Sequence, residues 1–257
     1  MAIDKSSTQT WISERYASNA RYVESFADFT LPVLAARSSD KILDLGCGDG
    51  RVTMRLIGAG ANVVGVDPAV DMIEAARRLG IDARVQNVYD LEFDREFDAV
   101  FTNSVLHWVL EPHRAVNRVF AALKPGGRFV GEFGGFGCCA GTVVAANAVL
   151  KRRGIDIASV NPWYYPTADE YRGVLENAGF AVDRIELGAL PVDLGAGGIA
   201  AFIDTFCENF FCRLAPEDRS AAQSELIDLV RPALCDRAGN WTMDFVRIRF
   251  AAHRPAS

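Results

Sequence analysis

A short apolar segment that ends in three alternating glycines constrains the fold of this chain more than any other feature. Residues 41–50 read Lys-Ile-Leu-Asp-Leu-Gly-Cys-Gly-Asp-Gly, and a helical pattern opens directly behind them at Arg51. This order predicts a buried strand, a turn and a helix. Glycines at such a turn let a ligand approach the backbone because they carry no Cβ atom, and free amide groups at the start of a helix add partial positive charge.

The spacing of these glycines differs from that of a dinucleotide-binding turn. A dinucleotide-binding turn has the pattern G-x-G-x-x-G. Here the glycines are at 46, 48 and 50, and Arg51 stands where that pattern has its third glycine. A second apolar segment, 63–67, ends in Asp67, whose carboxylate could accept both hydroxyls of a ribose in either class. An NAD oxidoreductase therefore stays an alternative, although the glycine spacing speaks against it.

Four segments, in this order and spacing, resemble the class I S-adenosylmethionine-dependent methyltransferases. They are the glycine segment, the segment that ends in Asp67, residues 97–103 and the Leu-Lys-Pro-Gly-Gly stretch at 123–127, and the match covers about residues 41–132. The resemblance implies an α/β fold with a doubly wound, seven-stranded, Rossmann-like methyltransferase sheet whose last strand is antiparallel. It also implies S-adenosyl-L-methionine as cofactor and S-adenosyl-L-homocysteine as product.

The remaining patterns predict additions to this core. Residues 1–37 form a helical N-terminal leader whose first ten residues are disordered, and residues 38–189 form the cofactor-binding α/β core. The stretch 190–240 is too long for a structureless loop, so we expect a helical cap inserted before the final strand at 241–257. In that strand Val246, Ile248 and Phe250 alternate with Arg247 and Arg249, which predicts one core face and one polar face.

Composition limits the partners. The chain has 257 residues and a formal charge of −6, which argues against nucleic acid as a partner. Its beginning is polar and no apolar run approaches the length of a spanning helix, so we expect no membrane contact and a cytoplasmic location. Six cysteines without a C-x-x-C pair and three histidines without ligand spacing predict buried thiols and no metal. A monomer or homodimer that acts on a small molecule is expected.

The resemblance assigns residues to the cofactor. Gly46 and Gly48 let the backbone approach the methionine portion, and Asp44 orients the loop or receives the amino group. Asp67 holds the ribose, while Asn87 with Val88 contacts the adenine. The family often has Asp at position 87, but an Asn can still accept through its amide oxygen. The full predicted cofactor set is Tyr16, Asp44, Gly46, Cys47, Gly48, Asp67, Pro68, Met72, Asn87, Val88 and Asn103.

The methyl acceptor is expected on the other side of the crevice, because ligands of doubly wound sheets bind at the carboxyl ends of the strands. His107 follows the fourth strand and is predicted to be a base or a hydrogen-bond donor; Glu132, on the fifth strand, is an alternative base. Aromatic residues of the leader either anchor it to the core or close over the site. The predicted acceptor-binding set is Trp11, Tyr22, Trp108, Trp163, Tyr164 and Trp241.

The leader, the Asn103–Val109 segment and the long insert resemble the trans-aconitate methyltransferase group. We therefore predict an S-adenosylmethionine-dependent methyltransferase that O-methylates a small carboxylic acid. The alternatives are a C-methyltransferase of a quinol or other activated ring, and a non-catalytic S-adenosylmethionine-binding subunit. A carboxylate is already ionised, whereas a phenol or an enolisable carbon needs a base to remove its proton.

Overall fold

The computed structural model describes residues 9–256, so most of the stretch predicted to be disordered lies outside it. A seven-stranded sheet has the order β3-β2-β1-β4-β5-β7-β6. Strands β1 to β5 pair in parallel, and β7 is antiparallel to both β5 and β6. This topology confirms the predicted fold class. The strands are β1 (Lys41–Leu45), β2 (Asn62–Asp67), β3 (Asp82–Val85), β4 (Phe97–Asn103), β5 (Leu123–Gly134), β6 (Ala181–Asp193) and β7 (Thr242–His253).

Helices cover both faces of the sheet and its carboxyl edge. Those that flank the sheet are α4 (Arg51–Gly58), α5 (Val70–Arg78), α6 (Pro112–Ala122), α7 (Ala140–Lys151) and α8 (Ala168–Asn177). Helix α8 begins at a capping box, in which Thr167 and Glu170 exchange side-chain and backbone hydrogen bonds. The leader contains α1 (Ser13–Asn19), α2 (Tyr22–Phe26) and α3 (Leu31–Leu34), and the insert contains α9 (Gly198–Phe206), α10 (Glu208–Phe211) and α11 (Pro216–Leu234).

Successive residues of the central strands are buried on opposite faces. Ile42 packs with Leu34 of the leader and Leu56 of α4, whereas Leu43 packs in a separate cluster with α6 and α8. Both side chains are fully buried. Continuous apolar strands are what a sheet covered on both faces requires, and this is why β1 and β4 are apolar without alternation.

A third apolar cluster joins the leader to the insert above the carboxyl edge of the sheet. It contains Phe26 from the leader, Phe202 and Phe210 from the insert and Phe245 from β7. Hydrogen bonds reinforce this contact: Asn19 Nδ2 donates to Thr205 Oγ1 at 3.0 Å, and Ser13 N donates to Asp71 Oδ2 at 2.6 Å. The leader therefore bridges the insert and the core.

Strands β6 and β7 differ from the predictions. Strand β6 continues to Asp193, because its whole length pairs with β7, so the helices of the insert begin only at Gly198. Arg247, expected on a solvated face, is 3% exposed, and its guanidinium lies 4.9 Å from the ring centre of Phe26. Alternation in a strand cannot tell a solvated face from one that a distant segment covers. No helix within residues 9–256 has the length and apolar character needed to cross a membrane.

Candidate active site

Two adjoining cavities lie at the carboxyl ends of β1, β2 and β4. The larger has a volume of about 160 Å³ and the smaller about 140 Å³. Trp11 and Trp108 line both, and their rings meet edge to face at a centroid distance of 5.0 Å. Gly46, Pro68 and Val105 also border both cavities. The two cavities can therefore hold different parts of one elongated ligand.

The glycine loop, residues 46–50, forms the floor between them. Both Gly46 and Gly48 have positive φ angles, +74° and +55°, which favour glycine. A Cβ atom at Gly46 would lie 2.2 Å from Cγ2 of Val105, so packing alone requires glycine there. At Gly48 nothing lies within 4 Å of the Cβ position, and the residue lines the larger cavity. The backbone at Gly48 is thus open to a ligand.

The carboxylate of Asp67 orders this loop. Its Oδ2 accepts a hydrogen bond from Gly48 N at 3.2 Å, and its Oδ1 accepts one from Ala69 N at 2.9 Å. Burial raises the pKa of Asp67 to about 6, although both backbone bonds oppose the shift. A carboxylate has about four acceptor positions, so Asp67 retains capacity for hydroxyl donors of a ligand.

One buried acceptor next to the loop lacks a partner. Asn103 Nδ2 donates to Val23 O at 3.2 Å, but its Oδ1 is buried and has no hydrogen-bond partner within residues 9–256. Such an atom is costly unless a ligand donates to it. The side of the larger cavity next to the glycine loop is called the loop edge and consists of Gly46, Gly48, Asp67, Met72 and Asn103. Tyr16 also lines this cavity, and after burial, Asp49 and Asp67 contribute most to raising its pKa.

The smaller cavity contains the residues predicted to contact adenine. Asn87 and Val88 line it, together with Gln86 and Tyr89. Asn87 Oδ1 already accepts a hydrogen bond from Tyr89 N at 3.0 Å, because Asn87 caps a short 3-10 turn. Its oxygen can accept one more bond, and the contact with adenine stays a prediction.

Opposite the loop edge, the larger cavity is bounded by an aromatic wall. The wall consists of Tyr22, Phe26, Trp108, Trp163, Tyr165, Phe202, Phe206 and Phe245. Aromatic residues of the leader both border the site and anchor the leader. Trp11 lines the cavity and also packs against Phe206 of the insert, at a ring-centroid distance of 6.1 Å. Anchoring the leader and covering the site are therefore the same contact.

His107 lies at the edge of this wall and is 8% exposed. Its Nδ1 accepts a hydrogen bond from Gly134 N at 3.3 Å. Burial, and secondarily the charge of Arg247, hold its pKa well below the ordinary value. The imidazole is therefore neutral, and because Nδ1 accepts, the hydrogen-bond pattern assigns the proton to Nε2. In this tautomer His107 offers a donor rather than a base.

A buried ion pair stands behind the wall. Arg247 Nε donates to Glu132 Oε2 and Arg247 Nη2 to Glu132 Oε1, each at 2.8 Å. Ser104 Oγ completes the arrangement, since it donates to Glu132 at 2.8 Å and accepts from Arg247 Nη2 at 2.6 Å. Arg247 lines the larger cavity, and its Nη1 has no hydrogen-bond partner in the described part of the chain.

Glu132 and Asp44, predicted as a base and as a cofactor-binding residue, both lie outside the two cavities and bond to other side chains of the protein. Glu132 is fully buried and outside both cavities, and Arg247 and Ser104 occupy its oxygens, so its assignment as an alternative base is wrong. Asp44 is 2% exposed, borders neither cavity and accepts from Thr53 Oγ1 at 2.6 Å. It supports the strand beneath the loop rather than reaching a ligand.

Three other assignments are corrected. Cys47 packs away from the cavities in a cluster with Ile73 and Ile81. Tyr164 likewise packs in the core on the far side of its loop. Trp241 borders a separate surface depression, where Arg231 lies over its ring at 5.0 Å.

Sequence reasoning missed several residues of the site. They include Phe26, Phe202, Phe206 and Phe245 of the wall, and Tyr165 and Arg247 show the reason most clearly. Tyr165 follows Trp163 by two positions and stacks on it at 5.5 Å, so the two-residue alternation of an extended segment would have favoured Tyr165 over Tyr164. Arg247 carried no local signal, because its partner Glu132 lies on another strand and its cover belongs to the leader. Among residues 9–256, no group of three or more His, Cys, Asp and Glu side chains could hold a metal ion.

The fold and the loop define a Rossmann-like methyltransferase. A family model described as a methyltransferase domain matches residues 43–131. An uncharacterized methyltransferase of Schizosaccharomyces pombe, C70.08c, is 33% identical over 256 residues, which is 95% of this chain and 98% of that protein. The chain belongs to the class I S-adenosylmethionine-dependent methyltransferases and is an enzyme of this class. The alternatives of an NAD oxidoreductase and a non-catalytic subunit are not supported.

Two further proteins illustrate the similarity. Trans-aconitate 2-methyltransferase of Rhodococcus jostii is 34% identical over 159 residues, covering 59% of this chain and 62% of that protein. The structure of a phosphoethanolamine N-methyltransferase of Haemonchus contortus superposes with a TM-score of 0.60 and 18% identity, covering 95% of this chain and 57% of that one. The cofactor is S-adenosylmethionine. The open backbone at Gly48 and the unpartnered Asn103 Oδ1 fit the amino-acid portion of this cofactor.

Proposed function

We propose that the enzyme transfers a methyl group to an oxygen of a small carboxylic acid and releases the methyl ester. The guanidinium of Arg247, which lines the larger cavity beside its aromatic wall, is the observation that carries this proposal. Glu132 and Ser104 hold its Nε and Nη2, while Nη1 is left for a ligand. Because Glu132 already takes the bidentate pair of donors, Nη1 can give an acceptor carboxylate one charge-assisted hydrogen bond.

The titratable groups around the cavity favour an acceptor that is already ionised. Burial raises the pKa values of Tyr22 and Cys139 well above their ordinary values, so both are protonated at neutral pH. His107 Nδ1 is occupied by Gly134 N. Of the described residues that line this cavity, only Asp67 retains a carboxylate, and it lies at the loop edge. A carbon or phenol acceptor would lack a base near the aromatic wall.

The enclosed volume supports a small acceptor. The leader and the insert contribute side chains to the walls of the larger cavity, whose volume of about 160 Å³ suits a small acceptor. When bound, the cofactor supplies an electrophilic methyl group on a sulfonium. The contribution of the protein is alignment, which can lower a barrier by about 7–11 kcal/mol, and the exclusion of water by the aromatic wall.

The roles proposed for individual residues follow their positions. Gly48 and Asn103 bind the amino-acid portion of the cofactor, Asp67 the ribose, and Asn87 with Val88 the adenine. Met72, Pro68 and Tyr16 pack around it. Arg247 orients the acceptor carboxylate, and the Nε2 proton of His107 provides a second donor.

Mass spectrometry with a deuterated methyl donor tests this function. Purified enzyme is incubated with the labelled cofactor and a panel of carboxylic acids, phenols and quinols. We expect gain of one labelled methyl group by acids only, and loss of the label on mild alkaline hydrolysis, as an ester requires. A label that survives hydrolysis on a ring carbon would instead establish C-methylation of a quinol or other activated ring and contradict the proposal.

A further inference from the structure

We infer that the acceptor is a monocarboxylic acid with an apolar body and a hydrogen-bond-accepting oxygen remote from its carboxylate. This inference rests on the proposed function and narrows its substrate class. It also separates this enzyme from the tricarboxylate chemistry that the name of its Rhodococcus relative indicates. Three features of the larger cavity carry it: the charges, the unpartnered donors and the rings between them.

The charged side chains that line the larger cavity can accommodate one carboxylate of the acceptor. Of the described residues that line the larger cavity, only Asp67 and Arg247 are charged, since His107 is neutral. Glu132 already balances most of the charge of Arg247. A second or third carboxylate on the acceptor would face aromatic rings or Asp67 without a cation, and an unpaired buried carboxylate is strongly disfavoured. A tricarboxylate such as trans-aconitate is therefore a poor fit.

Two buried donors at the aromatic wall lack partners. Trp163 is 6% exposed, and its Nε1 is buried without a hydrogen-bond partner among the described residues. The same holds for the hydroxyl of Tyr22. An indole N–H can only donate, so the group that satisfies Trp163 must be an acceptor such as a carbonyl, ether or hydroxyl oxygen. Native proteins rarely leave such groups unsatisfied, and because Trp163 lines the larger cavity, a ligand bound there can supply this oxygen.

The two polar points lie on different parts of the wall. Arg247 lies beside Phe26 and Phe245, at 4.9 and 5.9 Å from their ring centres. Trp163 instead contacts Trp108, Tyr165 and Phe210 at centroid distances of 6.0, 5.5 and 5.1 Å. Most side chains around both points are aromatic, and His107 is the polar exception beside Trp108 and Tyr165. The part of the acceptor between its carboxylate and its second oxygen is therefore expected to be mainly apolar.

Matched acids test the inference. The probes are 4-oxo-4-phenylbutanoate, 4-phenylbutanoate, which lacks only the ketone oxygen, and trans-aconitate. For each acid we would measure kcat/KM, and also affinity by calorimetry for the enzyme saturated with S-adenosylhomocysteine. We expect the oxo acid to exceed its parent at least tenfold and trans-aconitate at least 100-fold in both measurements.

Two variants separate the contribution of the indole donor. Trp163→Phe keeps a ring but removes the N–H, and we expect it to reduce the preference for the oxo acid to less than threefold. Trp241→Phe is the matched control, because Trp241 borders only the surface depression, and it should keep the full preference. Retained affinity for S-adenosylhomocysteine shows that each variant is folded.

The outcomes distinguish this inference from the proposed function. Tightest binding or fastest turnover of trans-aconitate would overturn the inference while supporting O-methylation of acids. An unchanged oxo-acid preference in Trp163→Phe, or failure of both phenyl acids to bind, would also overturn it. Esterification of no acid, together with methylation of a ring carbon, would overturn the proposed function itself.

Discussion

The loop edge and the aromatic wall of the larger cavity draw on different parts of the chain. The loop edge uses backbone groups and short polar side chains at the ends of neighbouring parallel strands, such as Gly48 after β1 and Asn103 on β4. The wall collects large rings from the leader, the 163–165 loop, the insert and β7. The first arrangement follows from the sheet topology, whereas the second requires that distant segments pack together.

This difference separates cofactor binding from acceptor choice. A common cofactor can be held by groups that the sheet itself positions, and the acceptor is then selected by the segments added around it. Substitutions at the loop edge should therefore weaken binding of the cofactor, and substitutions at the wall should change only the binding and turnover of the acceptor. Four predictions test this separation.

The largest effect is expected from the combined substitution of Arg247→Met and Glu132→Gln. Replacing only Arg247 would leave the charge of Glu132 buried without a cation, at a cost of about 3–5 kcal/mol. The double variant removes both charges, and we expect kcat/KM for the acid to fall about 100-fold or more, as when a buried charged contact is truncated. Affinity for S-adenosylhomocysteine should change less than twofold by calorimetry. An equal loss of cofactor affinity would show that the two regions are not separable.

The next largest effect is expected for Gly46→Ala at the loop edge. The new Cβ atom would meet Val105 Cγ2 at 2.2 Å in a backbone with φ of +74°. Overpacking and a left-handed conformation together should lower the free energy of unfolding by about 2–4 kcal/mol, measured by urea denaturation. Adding Val105→Ala should restore part of the loss.

Gly58→Ala serves as the control for this variant, because its Cβ position is open and its φ is not in the left-handed region. We expect it to leave stability within about 1 kcal/mol of the wild type. If Gly46→Ala were equally harmless, the contact between Gly46 and Val105 would not be what requires glycine at this position.

A smaller loss is expected for Asp67→Ala. The carboxylate both orders Gly48 and, as proposed, accepts the ribose hydroxyls. We expect at least tenfold weaker binding of S-adenosylhomocysteine, about 1.4 kcal/mol, with no change in the relative preference among acids. Asp90→Ala is the matched control, since Asp90 is an exposed acid whose side chain pairs with Arg114 on the surface. Unchanged cofactor affinity would place the ribose contact elsewhere.

The sequence predicted the loop edge better than the wall, for a physical reason. Gly46, Gly48, Asp67 and Asn103 occur at strand ends, and parallel strands bring their carboxyl ends to one edge of a sheet. Their shared location thus follows once the strands are recognised.

The wall depends on contacts that no local pattern reveals. Arg247 and Arg249 alternate with apolar residues as on a solvated strand, yet the leader covers them, and Arg249 lies 3.7 Å from the ring centre of Phe29. Trp241 was expected in the cavity, but it precedes Arg247 by six residues of a strand that extends past the end of β5, roughly 20 Å at about 3.3 Å per residue. Only the register between β5, β6 and β7 shows this.

The smallest expected effect concerns the pH dependence of stability and tests whether Asp44 stays outside the ligand site. Burial raises its pKa to about 7, whereas an unfolded aspartate titrates near about 3.9. Between these values the native state binds more protons, so the contribution of Asp44 to stability is greatest at low pH and is lost as the pH rises through 7. Asp44→Asn keeps an acceptor for Thr53 but cannot titrate.

We therefore expect the Tm of the wild type, relative to Asp44→Asn, to decrease by a few degrees between pH 5 and pH 8 in thermal unfolding. Asp67 titrates in both proteins, but its charge contributes to the raised pKa of Asp44, so the difference reports Asp44 together with this coupling. Saturation with S-adenosylhomocysteine should leave the pH dependence of this difference unchanged, because Asp44 borders neither cavity. If S-adenosylhomocysteine removed the pH dependence of this Tm difference, Asp44 would interact with the cofactor site, and the loop edge would extend beneath the glycine loop.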